Sequence, residues 1–248
     1  MTLPPAPPLI CRGVRVPRRG HGLDDCEDFA AVDPQSGRFA VADGASESWQ
    51  GGLWARLLVE DFVRGPCGAS GTWVEGLGSV QHRWAEAAPG QEGAPPWWLE
   101  DRLRRGAFAT FLGLELLPGE ASAWRWRALA LGDSCLFQVR GIELVTSFPL
   151  TRAADFDNSP WLLGSRTPAR DPVHAEGEGR AGDRFWLMTD ALGQWFLRGI
   201  EDGSRPWEVL QALLDGENAE AQFENWVEER RRERHLRDDD VTLVTVGL

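Results

Sequence analysis

Apolar, strand-like runs that each meet an aspartate set the strongest limit on what this chain folds into. Phe39-Ala40-Val41-Ala42 runs into Asp43-Gly44, with Glu27-Asp28 one short strand upstream. Phe185-Trp186-Leu187-Met188 passes through Thr189 into Asp190, just before a helix-compatible segment. Ala128-Leu129-Ala130-Leu131 meets Gly132-Asp133, and Asp238-Asp239-Asp240 opens a terminal apolar run. A strand tip is a rigid mount for a carboxylate, and a following Gly lets the backbone turn sharply. Any one of these corners is, by itself, an ordinary turn. Taken together they point to one converging carboxylate site. Clustered carboxylates repel one another, and oxygen-only ligation suits hard divalent cations, magnesium or manganese.

The spacing predicts short strands over 10–16, 29–32 and 39–42, then a helix over 49–63 with Leu53, Ala55, Leu57, Leu58 and Phe62 as its apolar stripe. Gly51-Gly52 weakens the first turn of that helix, which favours a later start. Residues 66–71 and 89–96 read as breaks around a second helix over 72–88, and 97–105 as a short helix. The period then changes. Residues 107–116, 123–131, 134–139 and 142–146 read as consecutive strands separated by Gly-containing turns. Residues 147–183 carry several Pro and Gly and read as a functional flap or an inserted segment, with Arg152, Arg166 and Arg170 as its candidate cleft-side cations. Residues 186–189 return to the sheet, 207–214 and 219–234 are helical, and 241–246 closes the chain. This order fits α+β layering, with residues 1–9 a flexible Pro-rich arm and 10–248 one domain.

Composition narrows the function classes. A chain of 248 residues can bury a full core. Its 26 basic against 38 acidic residues give a net charge of −12, which disfavours a nucleic-acid or membrane-surface partner. No apolar run approaches bilayer length, and the Pro-rich start lacks a signal-peptide profile, so the expected location is cytoplasmic. Cys11, Cys26, Cys67 and Cys135 are scattered without a C-x-x-C pair and read as free thiols, Cys26 standing nearest the site. Among thirteen Trp, the pairs Trp97-Trp98 and Trp124/Trp126 read as core or groove wall. The alternating run from Glu228 to His235 reads as a solvated helix face that could also help attract a phosphorylated segment.

In their order the motifs resemble the PPM-type, or type 2C, metal-dependent serine/threonine protein phosphatases. Glu27-Asp28, Ala42-Asp43-Gly44, Gly132-Asp133-Ser134, Thr189-Asp190-Ala191 and Asp239-Asp240-Val241-Thr242 follow the family order over nearly the whole chain, in a form closest to a bacterial subgroup. The resemblance implies a four-layer α-β-β-α sandwich with two central antiparallel sheets. It implies two Mn2+ or Mg2+ ions, with room for a third, weaker one. Asp43 would bridge the two ions, the Gly44 carbonyl would bind one, and Asp190 and Asp239 would complete the second site. Asp28, and with it Glu27, would hold metal-bound waters or touch a metal. Asp133 with Asp190 would hold the third ion. Asp240, in place of a family Asn or Asp, reads as a hydrogen-bond partner outside the metal shell. The implied reaction is hydrolysis of phosphoserine or phosphothreonine in proteins by a metal-bridged water, and a cognate kinase is a further partner the resemblance suggests.

Three departures matter. The Arg that clamps substrate phosphate in many family members falls here at Leu23, leaving Arg12, Arg18 and Arg19 as substitutes. Ala45 follows the bridging corner where some members carry His, leaving His21 as the nearest candidate proton donor. Ala191 replaces the usual Gly after the third aspartate. The missing clamp keeps an alternative reading open, a pseudophosphatase serving as a binding or regulatory module, beside a phosphatase acting on a small metabolite.

Overall fold

The computed structural model describes residues 9–65, 73–88, 96–119, 123–156 and 160–248. The Pro-rich arm through residue 8, Cys67, the break at 66–71 and residues 89–95 of the second break lie outside the described residues, as do the side chains of Trp97 and Trp98.

Two five-stranded antiparallel sheets form the centre. The first has the order β1 (Ile10–Val16), β12 (Val241–Gly247), β11 (Asp183–Met188), β7 (Cys135–Arg140), β8 (Glu143–Phe148). The second has the order β10 (Val173–Gly179), β6 (Trp124–Leu131), β5 (Phe111–Pro118), β3 (Arg38–Asp43), β2 (Asp28–Asp33). A small pair, β4 (Phe108–Ala109) and β9 (Leu163–Gly164), joins the end of β3 through a bridge between Ala109 and Gly44.

The apolar runs are continuous because most central strands are buried on both faces. Successive side chains of a strand point to opposite faces. Phe39, Val41, Leu112, Leu114, Phe185, Leu187, Val244 and Val246 therefore pack between the sheets. Their neighbours Ala40, Ala42 and Phe111 face α1 (Gly51–Arg64) and α2 (Leu77–Ala87) through Trp54, Leu58, Phe62 and Trp84, and the short α3 (Trp97–Arg105) follows α2 in the chain. On the far side Trp186, Met188, Phe137 and Leu243 face α4 (Asp190–Glu201), α5 (Pro206–Leu214) and α6 (Ala219–Arg232) through Phe196, Leu210, Phe223 and Val227. The result is the four-layer α-β-β-α sandwich that the family resemblance implies.

Several boundaries differ from the sequence reading, each for a physical reason. The expected single strand over 107–116 breaks at Thr110, which leaves the ladder to hold the Asp43 backbone. The expected long loop region over 147–183 is shorter, because Val173–Gly179 forms β10 and pairs with β6 along its whole length. Gly177 and Gly179 hid that strand, yet they lie opposite Trp126 and Trp124, and a Cβ on Gly177 would meet the Trp126 ring at 2.8 Å. Here the partner's indole covers what the glycine lacks. α1 begins at Gly51, two residues later than predicted, after Gln50 in the left-handed region. The run from Glu228 to His235 is not wholly solvated: Arg231 is turned inward and buried. The second helix also starts later, a 3-10 turn over Val74–Gly76 preceding α2.

Candidate metal centre

The strand ends deliver the carboxylates from both sheets to one place. Asp28 opens β2, Asp43 closes β3, and the two are directly opposite in the antiparallel register. Directly opposite residues share a face with their side chains close, an unfavourable arrangement for two like charges. Gly132-Asp133-Ser134 is the turn by which the chain leaves β6 for β7 and so crosses from one sheet to the other. Asp190 follows β11 as the first residue of α4, and Asp239 and Asp240 lead into β12.

Asp43 registers the convergence. Burial, and then the charges of Asp28, Asp190, Asp239 and Asp133, push its carboxyl well above the usual carboxylate range. Asp28 is fully buried and is pushed up in the same way, by burial first, with Asp240 and Asp190 adding to it against a hydrogen bond from Thr189. Asp239 is raised by burial and then by Asp190. Glu27 is raised by burial, opposed by its Ser46 hydrogen bond and by Arg18.

A polar scaffold fixes these groups. Thr110 Oγ1 accepts from the Asp43 backbone N–H at 3.1 Å, Thr110 N–H donates to the Asp43 carbonyl at 2.8 Å, and the Thr110 and Ser134 hydroxyls are 2.8 Å apart. Thr189 Oγ1 donates to Asp28 Oδ2 at 2.7 Å and accepts from the Thr242 N–H at 3.0 Å. Asp240 accepts from the Arg18 and Glu27 backbone N–H groups, both at 2.7 Å, so it ties the first strand's exit to the acidic motif. Arg231 donates to the Pro17 carbonyl at 2.9 Å and to the Asp239 carbonyl, shaping the acidic loop from beneath. Sequence reasoning missed Thr110, Arg231 and Arg237; for Arg231 the one available signal was its place on the inward face of α6, in step with Val227.

The glycines have local causes. A Cβ on Gly44 would lie 2.5 Å from the Gly51 backbone, so Gly44 lets the first turn of α1 close onto the corner. Gly132 has φ of +98°, a left-handed conformation that favours glycine in the turn carrying Asp133. Ala191 needs no such freedom. It sits in the first helical turn of α4, where a side chain is welcome, and Asp190 there complements the helix dipole.

The donor set suits a hard cation. Among the described residues Asp28 Oδ1 is buried without a hydrogen-bond partner, and the surrounding acids supply oxygen alone. Among the described residues, however, no three His, Cys, Asp or Glu side chains close into a finished metal cage. Asp190 is instead engaged by Arg237. Burial opposes the Arg237 charge, but Asp190, Asp239 and Asp133 hold its pKa up. The guanidinium thus supplies part of the positive charge that the cluster requires.

The remaining candidates separate clearly. Arg18 reaches the corner, with Nη1 2.8 Å from Ser46 Oγ and Nη2 3.7 Å from Glu27. Arg19 turns away to Glu228 at 3.0 Å, and Arg12 lies within β1 opposite Thr245. Leu23, at the clamp position, is 55 % exposed. His21 is exposed on the same loop, and among the described residues no hydrogen bond or ion pair joins its imidazole to the acids. Cys26 is buried and its thiol is pushed up by burial and by Asp28 and Asp240; among the described residues Cys11, Cys26 and Cys135 are free. Of the expected flap cations, Arg152 pairs with Asp155, Arg166 lies over Trp84, and Arg170 lies over Trp161. Among the described residues no helix is long and apolar enough to cross a membrane.

No family model matches the chain, and no curated protein matches it by sequence. Solved structures do match over nearly the full length. PppA, a key regulatory component of T6SS in Pseudomonas aeruginosa, is 18 % identical with a TM-score of 0.61, covering 98 % of each chain. The Mycobacterium tuberculosis serine/threonine phosphatase PstP/Ppp is 16 % identical with a TM-score of 0.63, covering 97 % of this chain and 98 % of that one. The PstP catalytic domain in complex with two manganese ions is 19 % identical with a TM-score of 0.55, covering 96 % and 98 %. From its first strand to its last, this chain has the fold of the PPM-type serine/threonine protein phosphatases.

Proposed function

We propose that the protein is a metal-dependent phosphatase that hydrolyses phosphoserine or phosphothreonine in proteins. The observation that carries this reading is the convergence of Asp28, Asp133, Asp190 and Asp239 on Asp43, from the ends of different strands in two sheets. The fold likeness, with a manganese-bound member among the similar structures, supports it further.

Asp43, the Gly44 carbonyl, Asp190 and Asp239 are assigned to hold two Mn2+ or Mg2+ ions, with Glu27 and Asp28 around them and Asp133 at a third, weaker position. Bound there, divalent cations neutralise phosphoryl oxygens and ease deprotonation of the attacking water. The protein's own part is positional. Thr110 and Thr189 fix Asp43 and Asp28 before substrate arrives, so little reorganisation remains for the reaction. Arg18, at the edge of the cluster, is assigned to the substrate phosphate in place of the clamp lost at Leu23. His21, three residues further along that loop, is assigned to protonation of the leaving alkoxide.

A second reading, a regulatory module with the fold and poor turnover, draws on the exposed Leu23 and on the Asp190–Arg237 pair. Turnover of a phosphopeptide and of an aryl phosphate, each with manganese and after exhaustive chelation, separates the two. The phosphatase reading expects hydrolysis of both with manganese and of neither after chelation. Full activity after chelation would refute the metal mechanism, and no activity with manganese would leave the regulatory reading.

A further inference from the structure

A cavity of about 660 Å³ opens beside the Asp43 corner, with Ala45 and Ser48 of that corner in its wall. Among the described residues its charged lining is Arg102, Arg105, Arg170 and Glu47, an excess of positive charge on a chain whose net charge is −12. The Arg170 guanidinium sits 3.6 Å from the ring centroid of Trp161, which is itself 65 % exposed. A cation held over an exposed indole keeps its edge donors available.

The walls are tied to the corner. Ala45 N–H donates to the Phe108 carbonyl at 2.9 Å, Phe108 N–H donates to Ser48 Oγ at 3.1 Å, and Trp49 N–H donates to the Gly106 carbonyl at 3.2 Å. The β4–β9 pair then carries this link to the segment bearing Trp161 and Arg170, and Gln81 Nε2 donates to the Gly164 and Thr167 carbonyls at 3.0 and 2.8 Å. Arg102 already holds a carboxylate: Glu47 lies 2.7 Å from its Nη2, with a side chain that is 92 % exposed and free to exchange with solvent. An intramolecular acid so exposed is weakly held.

We propose that this cavity binds Asp or Glu side chains flanking the phosphorylated residue of a protein substrate, with Arg102 and Arg170 as the principal cations and Glu47 as the acid they displace. The proposal rests on the phosphatase reading for its substrate, and its charge argument is independent of turnover. A nucleic acid would meet the same cations but also the acidic remainder of the surface.

The test compares two non-hydrolysable phosphonate peptides that differ only in acidic against amide flanks, Asp/Glu against Asn/Gln. Their binding to the full-length protein with manganese is read by fluorescence anisotropy. The acidic peptide is expected to bind about fivefold or more tightly at low salt, with the advantage shrinking as salt rises. The double variant Arg102→Ala/Arg170→Ala should erase the difference, and Glu47→Gln should enlarge it. Circular dichroism verifies that each variant folds. Equal affinity for the two peptides, or a preference that survives the double variant, would overturn the proposal. Aryl phosphate turnover judges the underlying reading separately: lost turnover with a retained acidic preference removes the phosphatase reading alone, and turnover without preference removes the cavity proposal alone.

Discussion

Thr189 Oγ1 donates to Asp28 Oδ2 at 2.7 Å across the interface between the two sheets. One hydroxyl on the last residue before α4 therefore holds a buried acid on β2, and it also accepts from the Thr242 N–H on β12. Three strand ends meet at one oxygen. Thr189→Val keeps the shape and deletes the donor, leaving Asp28 and Thr242 N–H with a lost partner each. The expected cost is about 1–3 kcal/mol of stability. For a chain of this size that corresponds to a Tm about 2–12 °C lower, measurable by calorimetry, if the fold unfolds cooperatively. Manganese affinity should weaken in the same variant, because Asp28 is no longer oriented.

Away from the site, Asp183 is buried and accepts from Arg140 Nε and Nη2, both at 2.7 Å, from Gln138 Nε2 at 2.8 Å and from the Arg180 N–H at 3.0 Å. Burial works to raise its pKa, but the Arg140 hydrogen bonds and the other donors outweigh it, so the folded value is lowered. A group depressed in the folded state contributes stability above its unfolded pKa of about 3.9 and loses it as pH falls through the folded value. Urea midpoints measured across the acid range should therefore fall below pH 4. Asp183→Asn should flatten that acid limb and cost about 3 kcal/mol at neutral pH.

Arg18 and Arg19 are adjacent in sequence and face different partners. Arg18 reaches Ser46 and Glu27 at the acidic corner, and Arg19 reaches Glu228 on α6. Arg18→Ala should lower kcat/KM for an aryl phosphate by about 10- to 100-fold, the loss of a charge-assisted hydrogen bond to phosphate. Arg19→Ala and Arg12→Ala should stay within about twofold. Steady-state kinetics with saturating manganese measures all three. An unaffected Arg18→Ala would return the clamp assignment to another residue.

Much of this architecture was legible because each central strand carries its own evidence. Residues 10–16 read correctly as β1, and the corners at Asp43, Asp133 and Asp190 lie where apolar runs stop. What was not legible depends on partners distant in sequence. β10 contains Gly177, whose tolerance in a strand comes from Trp126 on β6. Arg231 looks like one more charge on a solvated helix until the Pro17 and Asp239 carbonyls are placed around it. Thr110 looks like a strand residue until Asp43 comes to it. The order of the acids was readable; the hydrogen bonds that aim them were not.

Arg237 gives that distinction a measurable form. Its guanidinium engages Asp190 amid the charges of Asp239 and Asp133. Arg237→Ala removes a positive charge from a cluster that needs one. The metal-free variant should be less stable than the metal-free parent, and manganese should raise its Tm by more than it raises the parent's. Thermal denaturation with and without manganese reads both effects. Equal manganese-induced shifts in the two proteins would mean that Arg237 does not share the cluster's charge balance.

In the proposed mechanism Asp43 is the acid on which the other carboxylates converge to hold divalent cations. Calorimetric titration of Asp43→Asn with manganese, run beside aryl phosphate turnover, decides the role of Asp43. Removing that charge should reduce manganese affinity severely and abolish turnover, while circular dichroism shows the fold intact. An Asp43→Asn protein that binds manganese normally and retains activity would contradict the account.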